Sequence, residues 1–271
     1  MNGESALKRK KQTLILTKME YSKIPTTRIA GSGRITILGF GEVKISGSGR
    51  ISPEEISTSG SSKLPGGLVI GDLKTSGSSR IAGDLTAEMV KFSGSANVEG
   101  NLVCEEIQKS GSLKVEKDLK FKYGKFSGST RVGGSGSVEI ELEASGSMKF
   151  GGDLVSEDRI LYSGVMRVEG LVKAKSFEAR LSRDESLIRD GIEAEYINIQ
   201  RSHDDWRDRG SLYTTDITGD EIILENVECN NVTGKTIKIL PGCRIKGRVQ
   251  YSESIKVSPD SYLEKEPEKT E

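Results

Sequence analysis

Aromatic side chains are scarce in this chain, at 5% of 271 residues, and all apolar residues together reach only 34%. A round hydrophobic core would want more, whereas a thin, elongated core needs only a few inward side chains per layer. Histidine occurs once, as His203, and tryptophan once, as Trp206. The three cysteines, Cys104, Cys229 and Cys243, form no CxxC pair. They are too few and too scattered for a disulfide framework, which fits a reducing compartment. Long apolar runs are missing as well. Near the start, "LKRKKQTLIL" holds only Leu14, Ile15 and Leu16, too short for a signal peptide or a membrane span, so a cytoplasmic location is expected. Neither sign of charge is in excess, with 40 Lys and Arg against 40 Asp and Glu. No nucleic-acid partner is expected on global electrostatics, and any case for an anionic surface must be local.

Glycine, by contrast, occurs 32 times. A Ser-Gly or Ala-Gly marker places glycine at Gly31, Gly47, Gly60, Gly77, Gly94, Gly111, Gly128, Gly146 and Gly164, at spacings of 16, 13, 17, 17, 17, 17, 18 and 18. Counted from the marker's first residue, the sixth position is apolar in all nine registers (Ile35, Ile51, Leu64, Ile81, Val98, Val115, Val132, Phe150, Val168). Glycine is usual at the eighth position and leucine frequent at the tenth. Apolar sites fall on alternate residues within short runs, which is the period of a strand, and no extended helical stripe occurs. Seventeen extended residues trace about 56 Å at ~3.3 Å each, one circuit of a three-sided coil whose turns stack at ~4.8 Å. The expected fold is all-β, a parallel β-helix with three-sided rungs of about 17 residues.

Stacking gives the polar positions a meaning too. The marker serines Ser46, Ser59, Ser76, Ser93, Ser110, Ser127, Ser145 and Ser163 would form one row. They either bond along it or serve only as small turn residues beside glycine. The fifth position would form a basic column: Arg34, Arg50, Lys63, Arg80, Lys114, Arg131, Lys149 and Arg167, broken by Asn97. Two readings stand open: a solvated row offset by Glu99, Glu116 and Glu169, or a face that docks a linear anion or an anionic lipid surface. Acids recur by register at Asp84, Asp118 and Asp153, with Asn101 between, and at Glu88, Glu105 and Glu157.

The expected organisation has five parts: a flexible basic head over 1–27, a main block of about nine rungs over 28–180, a charged interruption with one short strand over 181–214, a C-terminal β-helical block over 215–260, and a disordered charged tail over 261–271. The head supplies a candidate membrane-contact segment, Lys8, Arg9, Lys10, Lys11, Leu14, Ile15 and Leu16. His203, Asp204, Asp205 and Asp208 have no spacing that demands a metal, so an exposed polar loop is the better reading and no metal is expected.

The serial "SGSxx(V/I)xGDL" rungs, followed by "GDEIILENVECNNVTGKTIKILPGCRI" (Gly219 onward, ending past Cys243), resemble the bactofilins. The similarity spans roughly residues 29–258. It implies a right-handed β-helix that associates end to end into filaments without a nucleotide, a cytoplasmic and often membrane-lining scaffold. It implies as partners other copies of the chain, a paralogous bactofilin and an anionic membrane surface, and no cofactor. Two departures are visible: the break at 181–214, and a head that does not clearly match the family's membrane-targeting segment. From the residues themselves, two other classes stay open. One is a non-polymerising binding module of adhesin type, against which the lack of a signal peptide argues. The other is a polysaccharide-active enzyme, against which the single His203 and the evenly recurring acids argue, so no catalytic residue is expected.

Overall fold

The computed structural model describes residues 20–182, 184–202 and 210–270. Among these there is no helix; every element is a strand of one continuous solenoid. The strands are β1 (Thr27–Ile37), β2 (Gly41–Ile51), β3 (Glu55–Pro65), β4 (Leu68–Ala82), β5 (Leu85–Val98), β6 (Leu102–Val115), β7 (Leu119–Val132), β8 (Gly136–Phe150), β9 (Leu154–Ser156), β10 (Arg159–Val168) and β11 (Val172–Leu181). They continue as β12 (Glu185–Ile188), β13 (Ile192–Arg201), β14 (Ser211–Thr214), β15 (Asp216–Leu224), β16 (Val227–Cys229), β17 (Asn231–Ile239), β18 (Arg244–Ile245), β19 (Val249–Val257), β20 (Tyr262–Leu263) and β21 (Glu268–Lys269).

From β3 onward the pairing is parallel and in step with the repeat: Gly60, Gly77, Gly94, Gly111, Gly128, Gly146 and Gly164 stand one above another. One rung shows how the alternating pattern builds the core. In β4 the inward residues are Leu68, Ile70, Leu73, Thr75, Ser79 and Ile81, with Ser76, Gly77 and Ser78 exposed between them. Two inward residues per face on three faces make a thin column, and successive rungs close it with their neighbours' side chains.

The marker glycines are required by geometry. Gly111 has φ +103, a conformation that L residues rarely adopt, and a Cβ on it would lie 2.3 Å from the carbonyl oxygen of Gly94 one rung away. A different demand falls on the glycine of the "GD" and "GN" corners. A Cβ on Gly100 would lie 2.2 Å from Asp84 Oδ1, and that oxygen is in use. Asp84 accepts from the Asn101 backbone N–H (2.7 Å), Asn101 from that of Asp118 (3.2 Å), Asp118 from that of Ser135 (2.8 Å) and Asp153 from that of Leu171 (2.9 Å). The acids recurring at this position are therefore the treads of a hydrogen-bond ladder that satisfies corner N–H groups.

The first three registers depart from the expected stack. β1, β2 and β3 are an antiparallel meander, with Gly31 opposite Gly47 and Gly47 opposite Gly60. The Ser-Gly-Ser marker keeps its centre in either direction, but everything off-centre is exchanged. Ser46 lies against Ser32 and Ser61, and it is Ser48 that stands over Ser59, hydroxyl to hydroxyl at 2.8 Å.

Three other expectations are corrected. Within the interruption at 181–214 the described residues continue the solenoid: β12, β13 and β14 pair in parallel with the rungs on either side. Only the rung length changes there, to 25 residues from Ile192 to its partner Ile217, against 15 from Ile217 to Val232. The tail is ordered through β20 and β21, with Tyr262 under the Arg244 guanidinium at 5.5 Å. In the head, Ser22 N–H donates to Val69 O (2.7 Å), its hydroxyl accepts from Val69 N–H (2.9 Å), and Ile24 is buried, so residues 22–24 lie against the start of β4 and, among the described residues, leave β1 uncovered. The candidate membrane segment Lys8–Leu16 and the His203–Asp208 group lie outside the described residues.

Candidate functional site: two basic rows beside a serine–glycine ridge

Strand register decides which charges are neighbours. Seven of the eight predicted members do share one row, Arg34, Lys63, Arg80, Lys114, Arg131, Lys149 and Arg167, with Asn97 in its expected place. Arg50 does not. Because β2 runs backwards, Lys44 takes that place, between Arg34 and Lys63, and Arg50 falls on the opposite flank of the ridge against Arg28 and Ser57. There it joins a second row that sequence reasoning missed: Arg28, Arg50, Lys74, Lys91 and Lys125, with Ser57 and Gln108 interposed. The Lys at the marker's second-preceding position was the available signal, and the reversal of β2 hid it.

Acids temper both rows. In the first, Lys44 pairs with Glu42 (3.3 Å), Arg80 with Glu99, Lys114 with Glu116 (2.6 Å) and Lys149 with Glu169 (3.5 Å). The Arg189 guanidinium, with Lys149 behind it, holds the Glu169 carboxyl below the usual carboxylate range. In the second row Lys74 is bracketed by Asp72 (2.8 Å) and Glu55 (3.1 Å), and Lys125 meets Glu143 (3.0 Å). These pairs lie at the surface in contact with water, so they moderate the field more than they stabilise the fold.

Two concavities follow the ridge. On the second-row flank a cavity of about 730 Å³ is lined by Lys91, Phe92, Lys109, Lys125, Phe126 and Tyr162, among others. Lys109 is its unusual member. It occupies an inward position between Phe92 and Phe126 of the adjacent rungs, is 4% exposed, and donates from Nζ to Gly111 O (2.9 Å) and Ser129 O (2.6 Å). Burial among aromatic rings pushes its pKa down to about 8 from an ordinary 10.5. Between those values the unfolded chain holds more protons than the folded one, so this residue makes stability climb as pH rises. Lys109→Met is expected to raise the unfolding free energy at pH 7 by about 1–2 kcal/mol, since removing the desolvation cost outweighs two lost hydrogen bonds. It also removes the climb between pH 8 and 10.5; urea melts of both proteins across that range check it.

The remaining buried nucleophiles are inert by environment. Desolvation pushes the Cys104 thiol up, Cys229 to about 12 and Cys243 to about 11. Among the described residues no group of His, Cys, Asp or Glu is suited to hold a metal ion, and no helix is long and apolar enough to cross a membrane.

No protein-family model matches the chain, and neither does any curated protein or solved structure. The likeness to bactofilins therefore rests on the residues quoted above.

Proposed function

We propose that this chain is a scaffold protein that associates with copies of itself through the ends of the solenoid, as the resemblance to bactofilins implies. The observation that carries the proposal is the state of the two ends. Among the described residues, β1 has a strand partner on one side only, and so do β20 and β21. An edge of this kind offers unpaired backbone donors and acceptors to another chain. At the C-terminal end the edge is also apolar. Tyr251, Ile255 and Leu263 are only partly covered, and Val257 and Tyr262 are 40% and 55% exposed. Stacking a second copy there closes backbone hydrogen bonds and removes those side chains from water, which needs no bound nucleotide to drive it.

Sedimentation velocity over a hundredfold concentration range, with negative-stain microscopy of the same samples, tests this. The wild-type chain is expected to form elongated species that grow with concentration. The pair Ile255→Glu and Leu263→Glu, placed on the last rung, is expected to stop growth while leaving the β-sheet circular dichroism unchanged. A wild-type chain that stays monomeric at every concentration and salt overturns the proposal.

A further inference from the structure

The other concavity lies on the first-row flank. It consists of two adjoining hollows of about 470 and 380 Å³ that share Ser61 and Lys63, and it runs across β1 to β6. One wall is the basic row from Arg34 to Lys114. The other is a serine row in unbroken register: Ser32, Ser46, Ser61, Ser78, Ser95 and Ser112. The lining contains five cations and no acid. The carboxylates that pair with Lys44, Arg80 and Lys114 are not part of it.

We infer that this groove binds a linear acidic polysaccharide along the solenoid axis. Three features of the lining select that class. The hydroxyls, and the cations except at Asn97, recur once per strand, at ~4.8 Å, about the advance of one sugar ring in an extended chain, so charge and hydroxyl partners stay in phase over several rings. No aromatic side chain lines the groove, and single-stranded nucleic acid depends on such platforms for stacking. The third feature is Asn97, the one member of the row that is not basic. It lines the groove between Arg80 and Lys114, and its side-chain oxygen lies beneath the surface with no hydrogen-bond partner, so that a donor in the groove meets it once the side chain turns outward. An unpaired acceptor asks for a donor. A sugar hydroxyl provides one; a fully ionised polyphosphate does not. A hollow bounded by two rows that follow the solenoid axis also fits a single chain better than a flat membrane surface.

The inference does not depend on self-association, and a monomeric chain would still carry the groove. The test is titration calorimetry of the full chain with oligogalacturonate of about ten rings, at two salt concentrations, beside oligo(dT), polyphosphate and phosphatidylglycerol vesicles. Oligogalacturonate is expected to bind best, with affinity falling as salt rises. The double variant Arg34→Glu and Lys63→Glu, two exposed side chains at the mouth of the groove, is expected to lose at least tenfold in affinity and to flatten the salt dependence. Asn97→Leu is expected to lose three- to tenfold with the salt dependence unchanged. Arg167→Glu, in the same row but beyond the groove, is expected to bind as wild type. Absence of oligogalacturonate binding at low salt, tighter binding of any comparison ligand, or an equal loss in Arg167→Glu would each overturn the inference.

Discussion

Gly111→Val is expected to split the solenoid into two unequal folding units. The substitution asks a β-branched residue to hold φ +103 and to place a Cβ 2.3 Å from the Gly94 carbonyl. The strained backbone alone costs on the order of 1–3 kcal/mol. The clash is with backbone that also carries the inter-rung ladder, so it is relieved only by moving β5 and β6 apart. A total above about 4 kcal/mol places this among the most damaging single changes known for folded domains. In a solenoid each rung touches only its neighbours, so the loss is local in energy but global in cooperativity. β1 to β5 and β6 to β21 are expected to unfold in separate transitions where the wild type is expected to show one. Denaturation followed by circular dichroism, with hydrogen exchange to identify the segments, checks this; a single transition near the wild-type midpoint would refute it.

Phe150→Ala is the second large effect. Phe150 is fully buried at the sixth position of its rung, and its ring occupies space that Gly136 leaves open: a Cβ on Gly136 would lie 2.6 Å from the ring edge. Truncation removes the ring from a site whose walls are ladder-bonded strands that cannot close in. The expected cost is about 3–5 kcal/mol. Gly136→Ala is destabilising by itself, because the ring must shift. Combined with Phe150→Leu it is expected to cost less than the two changes add up to, because each relieves the other's misfit. A double-mutant cycle in urea measures the coupling, and simple additivity would show that ring and glycine do not share the space.

Much of the rung was legible because β-structure stacks the repeat on itself. Ile81, Val98, Val115, Val132, Phe150 and Val168 share one period and one environment, and all are buried. Most of the basic row followed for the same reason. What escaped was anything that depends on chain direction or on contacts between rungs. Spacings of 16 and 13 among spacings of 17 and 18 were the trace of the meander. A marker that reads Ser-Gly-Ser either way hid the reversal, and with it the exchange of Arg50 for Lys44. The acids at Asp84, Asp118 and Asp153 could be placed in a column, but that they bind the backbone one rung on is a property of the corner's shape. Beyond one short strand, the described rungs within 181–214 were missed because they lack the marker and their lengths vary. There the core rests on short alternating runs, Ser186 and Ile188 in β12 and Ile192, Ala194, Ile197 and Ile199 in β13, all buried. The groove's serine row was present in the sequence as the marker's third residue. Its pairing with the cations as opposite walls needed the register.

The antiparallel start has one more consequence. A unit that is a palindrome about its glycine carries no arrow, so the same words can be laid down forwards or backwards on the unit before. What sets the direction is where each corner sends its hydrogen bonds. At the two reversals they close locally, Phe40 N–H to Ile37 O (3.1 Å) and Ser52 N–H to Glu55 O (2.9 Å), whereas the equally short corner after Val98 sends Glu99 N–H to Ile81 O one rung back (2.9 Å). Shape in this molecule is thus written as much in the bonding of its pauses as in the phrases they separate.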